Sequence, residues 1–218
     1  MEVIYHDEPF KIQSLPLTDI HVFDNWLSPD IHFWFDSCVR HCARWNQTNQ
    51  VDRAGQIRHK FWGITFYRED YTRDDPLDDY GWFAKTIDNR LQSEFGFSWK
   101  RFDYAGMNGQ TIGLQGTVHE DCQDKDDQNI SFLYYNNLHW QQEWGGQLRI
   151  YDEKAKREVG FHDNLLQHQI HAIDYKPNRL LMFDGRIPHS ADAPVGTTYH
   201  NRQSLVVRGS EAELILEE

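Results

Sequence analysis

The chain has 218 residues, enough for one good-sized domain, and is rich in aromatic side chains, with 8 Trp, 10 Tyr and 13 Phe. Its 34 acidic residues outnumber 22 basic ones, and the net charge of -12 argues against nucleic acid or an anionic membrane as main partner. Cys38, Cys42 and Cys122 do not make a disulfide framework, no run reaches the length of a membrane span, and the first eight residues lack a basic start and an apolar stretch, so a reducing, cytoplasmic setting is the expectation.

Residues 1–20 read as an extended lead-in. Ser28-Pro29 marks a helix start, with Ser28 as N-cap and Pro29 in the first turn. Ile31, Trp34, Phe35, Cys38, Val39 and Cys42 follow at helical spacing, which predicts a helix over about 29–45. Cys38 and Cys42 then share a face as small apolar groups. The polar stretch 46–55 reads as a loop, and 61–67 (Phe-Trp-Gly-Ile-Thr-Phe-Tyr) as a strand. An acidic loop over 70–79 precedes a second helix, in which Phe83, Ile87, Leu91 and Phe95 recur every four residues and Gly96 caps the end.

From Trp99 the texture changes to short β-rich runs between Gly, Asn, Asp and Pro. They cover 100–104, 111–120, 130–136, 147–151, 169–175, 179–183 and 203–207. Such a series predicts an antiparallel sandwich or barrel. The expected architecture is a single α+β domain over 1–218, with 1–98 as a helical support region and 99–210 as a jelly-roll core.

Within that core, His119-x-Asp121 places an imidazole and a carboxylate two residues apart, which on an extended segment share a face. His189 can complete two imidazoles and one carboxylate on one side of a metal, the facial triad of non-haem Fe(II) oxygenases, with the opposite positions open. Gln115, four residues before His119, can face the same pocket. A second metal site at His162, His168 and His171 is the weaker reading, since the last two fall at a loop–strand junction. His139 reads as a loop residue. Cys122, next to a ligand, is exposed to oxidation by misfired turnover, and Trp140 and Trp144 read as core or pocket wall.

The ordered set His119-x-Asp121, Phe132-Leu133-Tyr134-Tyr135-Asn136-Asn137, Trp140, Trp144-Gly145-Gly146-Gln147-Leu148, Pro177-Asn178-Arg179-Leu180-Leu181-Met182-Phe183, Pro188-His189 and Arg202-Gln203-Ser204-Leu205 resembles the 2-oxoglutarate/Fe(II)-dependent oxygenases, in particular their prolyl 4-hydroxylase-like branch. The resemblance spans Trp99 to Arg208. It implies a double-stranded β-helix of the cupin-like jelly-roll type and Fe(II) held by His119, Asp121 and His189. It also implies 2-oxoglutarate and O2 as cosubstrates, with ascorbate as a candidate reductant. Arg202 would pair with the distal carboxylate of 2-oxoglutarate and Tyr135 would donate to it; Leu133, Ser204 and Tyr104 are the further candidates around the cosubstrate. A carboxylate at Asp121, where halogenating relatives lack one, implies a hydroxylase. The expected substrate is a prolyl residue of a peptide or protein. A free amino acid or other small metabolite is the alternative, and a non-catalytic metal-binding jelly roll the alternative of another class. Oxidative nucleic-acid repair is disfavoured by charge.

Overall fold

The computed structural model describes residues 1–42, 45–51, 57–68, 81–152, 168–196 and 198–215. In chain order these form β1 (Val3–His6), β2 (Ile20–Asp24), α1 (Pro29–Cys42), β3 (Asn46–Val51), β4 (Ile57–Arg68), α2 (Gly81–Phe95), β5 (Phe97–Gln110), β6 (Ile130–Tyr135), a 3-10 turn (Gln142–Trp144), β7 (Leu148–Tyr151), β8 (Gln169–Ile173), β9 (Arg179–Asp184), β10 (His189–Ala191) and β11 (Arg202–Leu214). A major sheet of order β1-β2-β9-β6-β11-β5-β4-β3 faces a minor sheet of order β10-β7-β8. The acidic stretch 70–79 and His162 lie outside the described residues.

The central strands are buried on both faces, and the two-residue period sorts their side chains into two cores. On one face Phe132, Tyr134, Leu205, Val207, Ala105 and Met107 pack against the helices, through Phe35 and Val39 of α1 and Ile87, Leu91 and Phe95 of α2. On the other, Leu133, Tyr135 and Val206 meet Leu148, Ile150 and Ile173 of the minor sheet. The helices therefore support the sheet from behind, and the space between the sheets is left for a site.

Three expectations are corrected. The stretch 46–55 is not wholly a loop, because Asn46–Val51 pairs with β4 at the sheet edge; backbone pairing overrides the weak propensity of its polar side chains. The stretch 111–120 is not a strand: it crosses between the sheets with isolated bridge residues at Gly116 and at His119, the latter paired with His189. The core-facing stripe of α1 is rotated, with Phe35 and Val39 buried but Ile31 and Trp34 exposed. The Gly96 cap is present, with φ +69° and its N–H donating to Gln92 O at 2.9 Å.

Strand β2 is tied to β9 by more than its ladder. Asp24 and Arg179 are register partners, and Arg179 Nε donates to Asp24 Oδ1 at 2.7 Å. Lys176 Nζ adds a bond of 2.7 Å to Oδ2. Burial would raise the Asp24 carboxyl, but these two cations hold it below its ordinary value of 3.8. A depressed folded-state value contributes stability above the unfolded value, lost as pH falls through the folded one. Asp24→Asn should therefore lower unfolding free energy at pH 7 by about 1–2 kcal/mol. In urea denaturation, wild type and variant should converge as pH drops below 3.8.

Candidate metal and cosubstrate site

The connection after β5, which carries His119 and Asp121, and strand β10, which begins at His189, bring the triad together. His119 and His189 exchange backbone bonds, N–H to O at 3.0 and 2.9 Å, so their rings stand side by side with centroids 4.4 Å apart. Asp121 is anchored through its own N–H to Gly185 O at 2.8 Å. Gly185 leaves no room for a Cβ, which would fall 1.9 Å from Asn129 Oδ1. His119 Nε2 lies 3.7 Å from Asp121 Oδ1, and His189 Nε2 lies 3.7 Å from Asp121 Oδ2. Two ligand atoms about 2.1 Å from one ion are about 3 Å apart at right angles and about 4.2 Å apart in line, so this spacing suits a shared cation. The ligand atoms of the three residues all lie within 4.8 Å of one another.

The imidazole tautomers follow from their neighbours. His119 Nδ1 faces Thr117 O at 3.0 Å and His189 Nδ1 faces Ile187 O at 2.8 Å. A carbonyl only accepts, so each proton sits on Nδ1 and each Nε2 lone pair faces the shared space. Burial would raise the Asp121 carboxyl, but Arg208, His189 and His119, with the Ser131 hydroxyl, hold it well below the ordinary carboxylate range.

Both oxygens of Asp121 are gripped from the floor of the major sheet. Ser131 Oγ donates to Oδ2 at 2.7 Å and Arg208 Nη1 to Oδ1 at 2.6 Å. Ser131 and Arg208 are register partners between β6 and β11, and Tyr104 of β5 is the partner of Arg208 on its other side. The Arg208 guanidinium lies 5.2 Å from the centroid of the Tyr104 ring. Sequence reading missed Ser131 and Arg208, although Arg208 is six residues from Arg202 on one strand and thus on the same face.

The row at the other end of this face holds Arg202, whose register partner is Gln110. Arg202 is 1% exposed. Its Nε donates to Gly146 O at 2.7 Å, and Nη1 donates to Gln110 Oε1 at 3.0 Å and Ser204 Oγ at 3.4 Å. The rings of Tyr135 and Tyr175 lie 5.1 and 4.9 Å from its guanidinium carbon. Gly146 is required here: at φ +80°, a Cβ would sit 3.1 Å from Arg202 Cδ. None of these partners is an anion, and Arg202 Nη2 is buried with no hydrogen bond among the described residues. Tyr135 Oη is orphaned in the same way, and burial pushes its phenol up, so it stays a protonated donor. A buried cation without counter-charge, next to an unused O–H, is matched by a carboxylate.

The other sequence candidates separate. Leu133 and Ser204 line the inner face beside Tyr135, the register partner of Ser204. Tyr104 stands with Arg208 at the Asp121 end, six strand positions from the residue that pairs with Arg202. Gln115 turns away from the triad: its Nε2 donates to Asp192 Oδ1 at 2.7 Å and its Oε1 accepts from Ala193 N. His168 pairs with Asp152, and His171 reaches Met1 O. Trp140 is core, and Cys122 donates to Asp127. Beyond Asp121 lies a cavity of about 450 Å³ whose lining includes Asp103, Asp124, Asp126 and Asp127. Gln110 and Tyr175 escaped the sequence reading, because a glutamine and a core tyrosine carry no pattern of their own, and Gly146 stood out only as part of its motif and not as a partner of Arg202.

The geometry predicts that Co(II) binding, read from visible absorption, is abolished by His189→Ala. Ser131→Ala, which loosens Asp121 without removing a ligand, should weaken it by about tenfold or more.

Residues 107–207 match the family model described as the 2OG-Fe(II) oxygenase superfamily. A comparison with curated proteins found no match. Among solved structures, the chain is similar to a prolyl hydroxylase from Trichoplax adhaerens, in complex with a hypoxia inducible factor oxygen degradation domain peptide fragment. That likeness has a TM-score of 0.59 at 16% identity and covers 88% of this chain and 83% of the other. A Pseudomonas putida prolyl-4-hydroxylase follows with a TM-score of 0.54 at 19% identity, covering 88% and 91%. A non-heme alpha ketoglutarate dependent carbocyclase, SnoK of nogalamycin biosynthesis, has a TM-score of 0.54 at 11% identity, covering 89% and 81%. These likenesses carry the fold, a double-stranded β-helix. With the family match over residues 107–207, they make the chain similar to the 2OG-Fe(II) oxygenases.

Proposed function

We propose that the chain binds Fe(II) through His119, Asp121 and His189 and 2-oxoglutarate through Arg202 and Tyr135, and that it hydroxylates an unactivated C–H, with a proline ring as the favoured substrate group. The observation that carries the reading is the buried Arg202, which has no anionic partner among the described residues and stands beside the orphaned Tyr135 hydroxyl. A protein that only bound metal would have no use for that pair. When bound, the metal and cosubstrate supply an O2-dependent oxidation in which 2-oxoglutarate loses CO2 to become succinate.

The residues of the chain divide the remaining work. Arg202 and Tyr135 orient the distal carboxylate, with Gln110 Oε1 and Gly146 O fixing the guanidinium plane. Gln110 is itself held, its Nε2 donating to Leu114 O at 2.9 Å and Ala191 O at 3.0 Å. Leu133 and Val206 supply apolar wall and exclude water. Ser131 and Arg208 keep Asp121 in one orientation. The carboxylate at Asp121 makes the triad complete, which supports hydroxylation over halogenation. Two of the similar folds belong to prolyl hydroxylases, which supports the proline ring as substrate group.

Protein loaded anaerobically with Fe(II) and 2-oxoglutarate should release succinate slowly once air is admitted, and Asp121→Ala should not. Arg202→Ala removes charge-assisted bonds worth about 1.5–3 kcal/mol each, so the 2-oxoglutarate KM should rise roughly 100-fold or more. Gln110→Leu leaves the cation in place but frees its plane, and should raise the same KM about tenfold with little change in kcat. Succinate release that survives Asp121→Ala, or a KM indifferent to Arg202, would sink this reading.

A further inference from the structure

Resting on that reading, we propose that Arg208 receives a carboxylate of the substrate, so that the substrate is an amino acid taken with its α-carboxylate free rather than an internal residue of a peptide. Four observations converge on Arg208. It stands beside Asp121, bonded at 2.6 Å, and so next to any metal the triad holds. It shares a face of β11 with Arg202, about 20 Å along the strand at the end away from the cosubstrate clamp. Its side chain is 30% exposed, so it reaches the rim of the site, unlike Arg202. Only Nη1 is engaged: Nε and Nη2 make no hydrogen bond among the described residues, and the Tyr104 ring holds the guanidinium plane. A planar fork with two donors unused is suited to a carboxylate.

Charge leads to the same ligand. A divalent metal, the Asp121 carboxylate, the two guanidiniums of Arg202 and Arg208 and a doubly negative 2-oxoglutarate leave the loaded site with one positive charge. Asp103, the other acid near Arg208, is already paired with Arg101 at 2.7 Å. A substrate carboxylate restores neutrality in a partly dry site, where charge imbalance is costly. The cavity beyond Asp121 is lined by Asp124, Asp126 and Asp127 besides the Arg101–Asp103 pair, so a carboxylate placed there meets net negative charge. The peptide bond on either side of an internal residue offers no such charge.

The test uses full-length protein with redox-inert Ni(II) and 2-oxoglutarate, and calorimetric titration of the twenty free L-amino acids, their C-terminal amides, and N-acetylproline N-methylamide as the internal-residue mimic. Metal content and 2-oxoglutarate affinity are measured on every sample. The expected result is a free acid that binds and an amide of it that binds about tenfold to a hundredfold more weakly. Arg208→Gln should abolish that preference by weakening the acid alone, and Arg208→Lys, which keeps the charge but not the fork, should retain part of it. An amino acid bound through a side-chain carboxylate would keep its affinity as the amide, and Arg208→Gln would still weaken it; that outcome supports a carboxylate at Arg208 but overturns the α-carboxylate. The proposal is overturned if amides and the capped mimic bind as well as free acids with no effect of Arg208→Gln. It is equally overturned if Arg208→Gln weakens every ligand alike through loss of metal while Arg208→Lys keeps the metal without the preference, or if no free acid binds to protein that holds 2-oxoglutarate. Wild-type protein that fails to bind 2-oxoglutarate would overturn the cosubstrate reading itself, and is told apart by that measurement.

Discussion

The site depends on the strict alternation of β11 between two buried faces. Leu205 and Val207 fill the core against the helices, while Arg202, Ser204, Val206 and Arg208 face the minor sheet. A strand with water on one side could slip or fray at modest cost. One buried on both sides cannot, because a shift of a single residue would drive two guanidiniums into the helical core. The long ladders to β5 and β6 hold this register, and the same ladders set Gln110 beside Arg202 and Ser131 beside Arg208.

Around that strand the charged groups are arranged in two unlike ways. Among the described residues, the hydrogen-bond partners of the buried Arg202 are all neutral. Arg208 already has a carboxylate in Asp121. Their difference follows from position. Arg202 enters β11 behind Gly146 and the two tyrosine rings, where no acid among the described residues bonds to it. Arg208 lies opposite the loop that carries Asp121. The triad hangs above this floor from the connection after β5 and from β10, an edge strand of the minor sheet, stitched together by the reciprocal His119–His189 backbone pair. The floor supplies rigidity, while one connection and one edge strand supply the three donors, a division that lets one scaffold hold a preorganised set of donors.

Much of this was legible in the sequence for local reasons. The ends of β6, β7 and β9 follow from short β-rich runs between turn residues, and α2 from apolar residues every four positions closed by Gly96, whereas β11 runs to Leu214, past the expected 203–207. His119, Asp121, His189 and Arg202 were found because their residue types and order are unusual together. The segment 111–120 has a β-like composition but is not a strand, because its backbone meets β10 only at isolated points, Gly116 at Ala191 and His119 at His189. Gln115 was misplaced with it, since a four-residue spacing says nothing once the segment is irregular.

The sequence by itself determined the donors and the alternation: which side chains can hold a cation, which can grip a carboxylate, and which residues of a strand share a face. Those are properties of residue type and of local geometry. Only the tertiary structure decided which strands lie side by side. It thereby set Ser131 and Arg208 on either oxygen of Asp121, put Gln110 and Gly146 on Arg202, and turned Tyr104 toward Arg208. Each of these pairings joins residues far apart along the chain, and their partners are chosen by sheet register, which no short window of sequence contains.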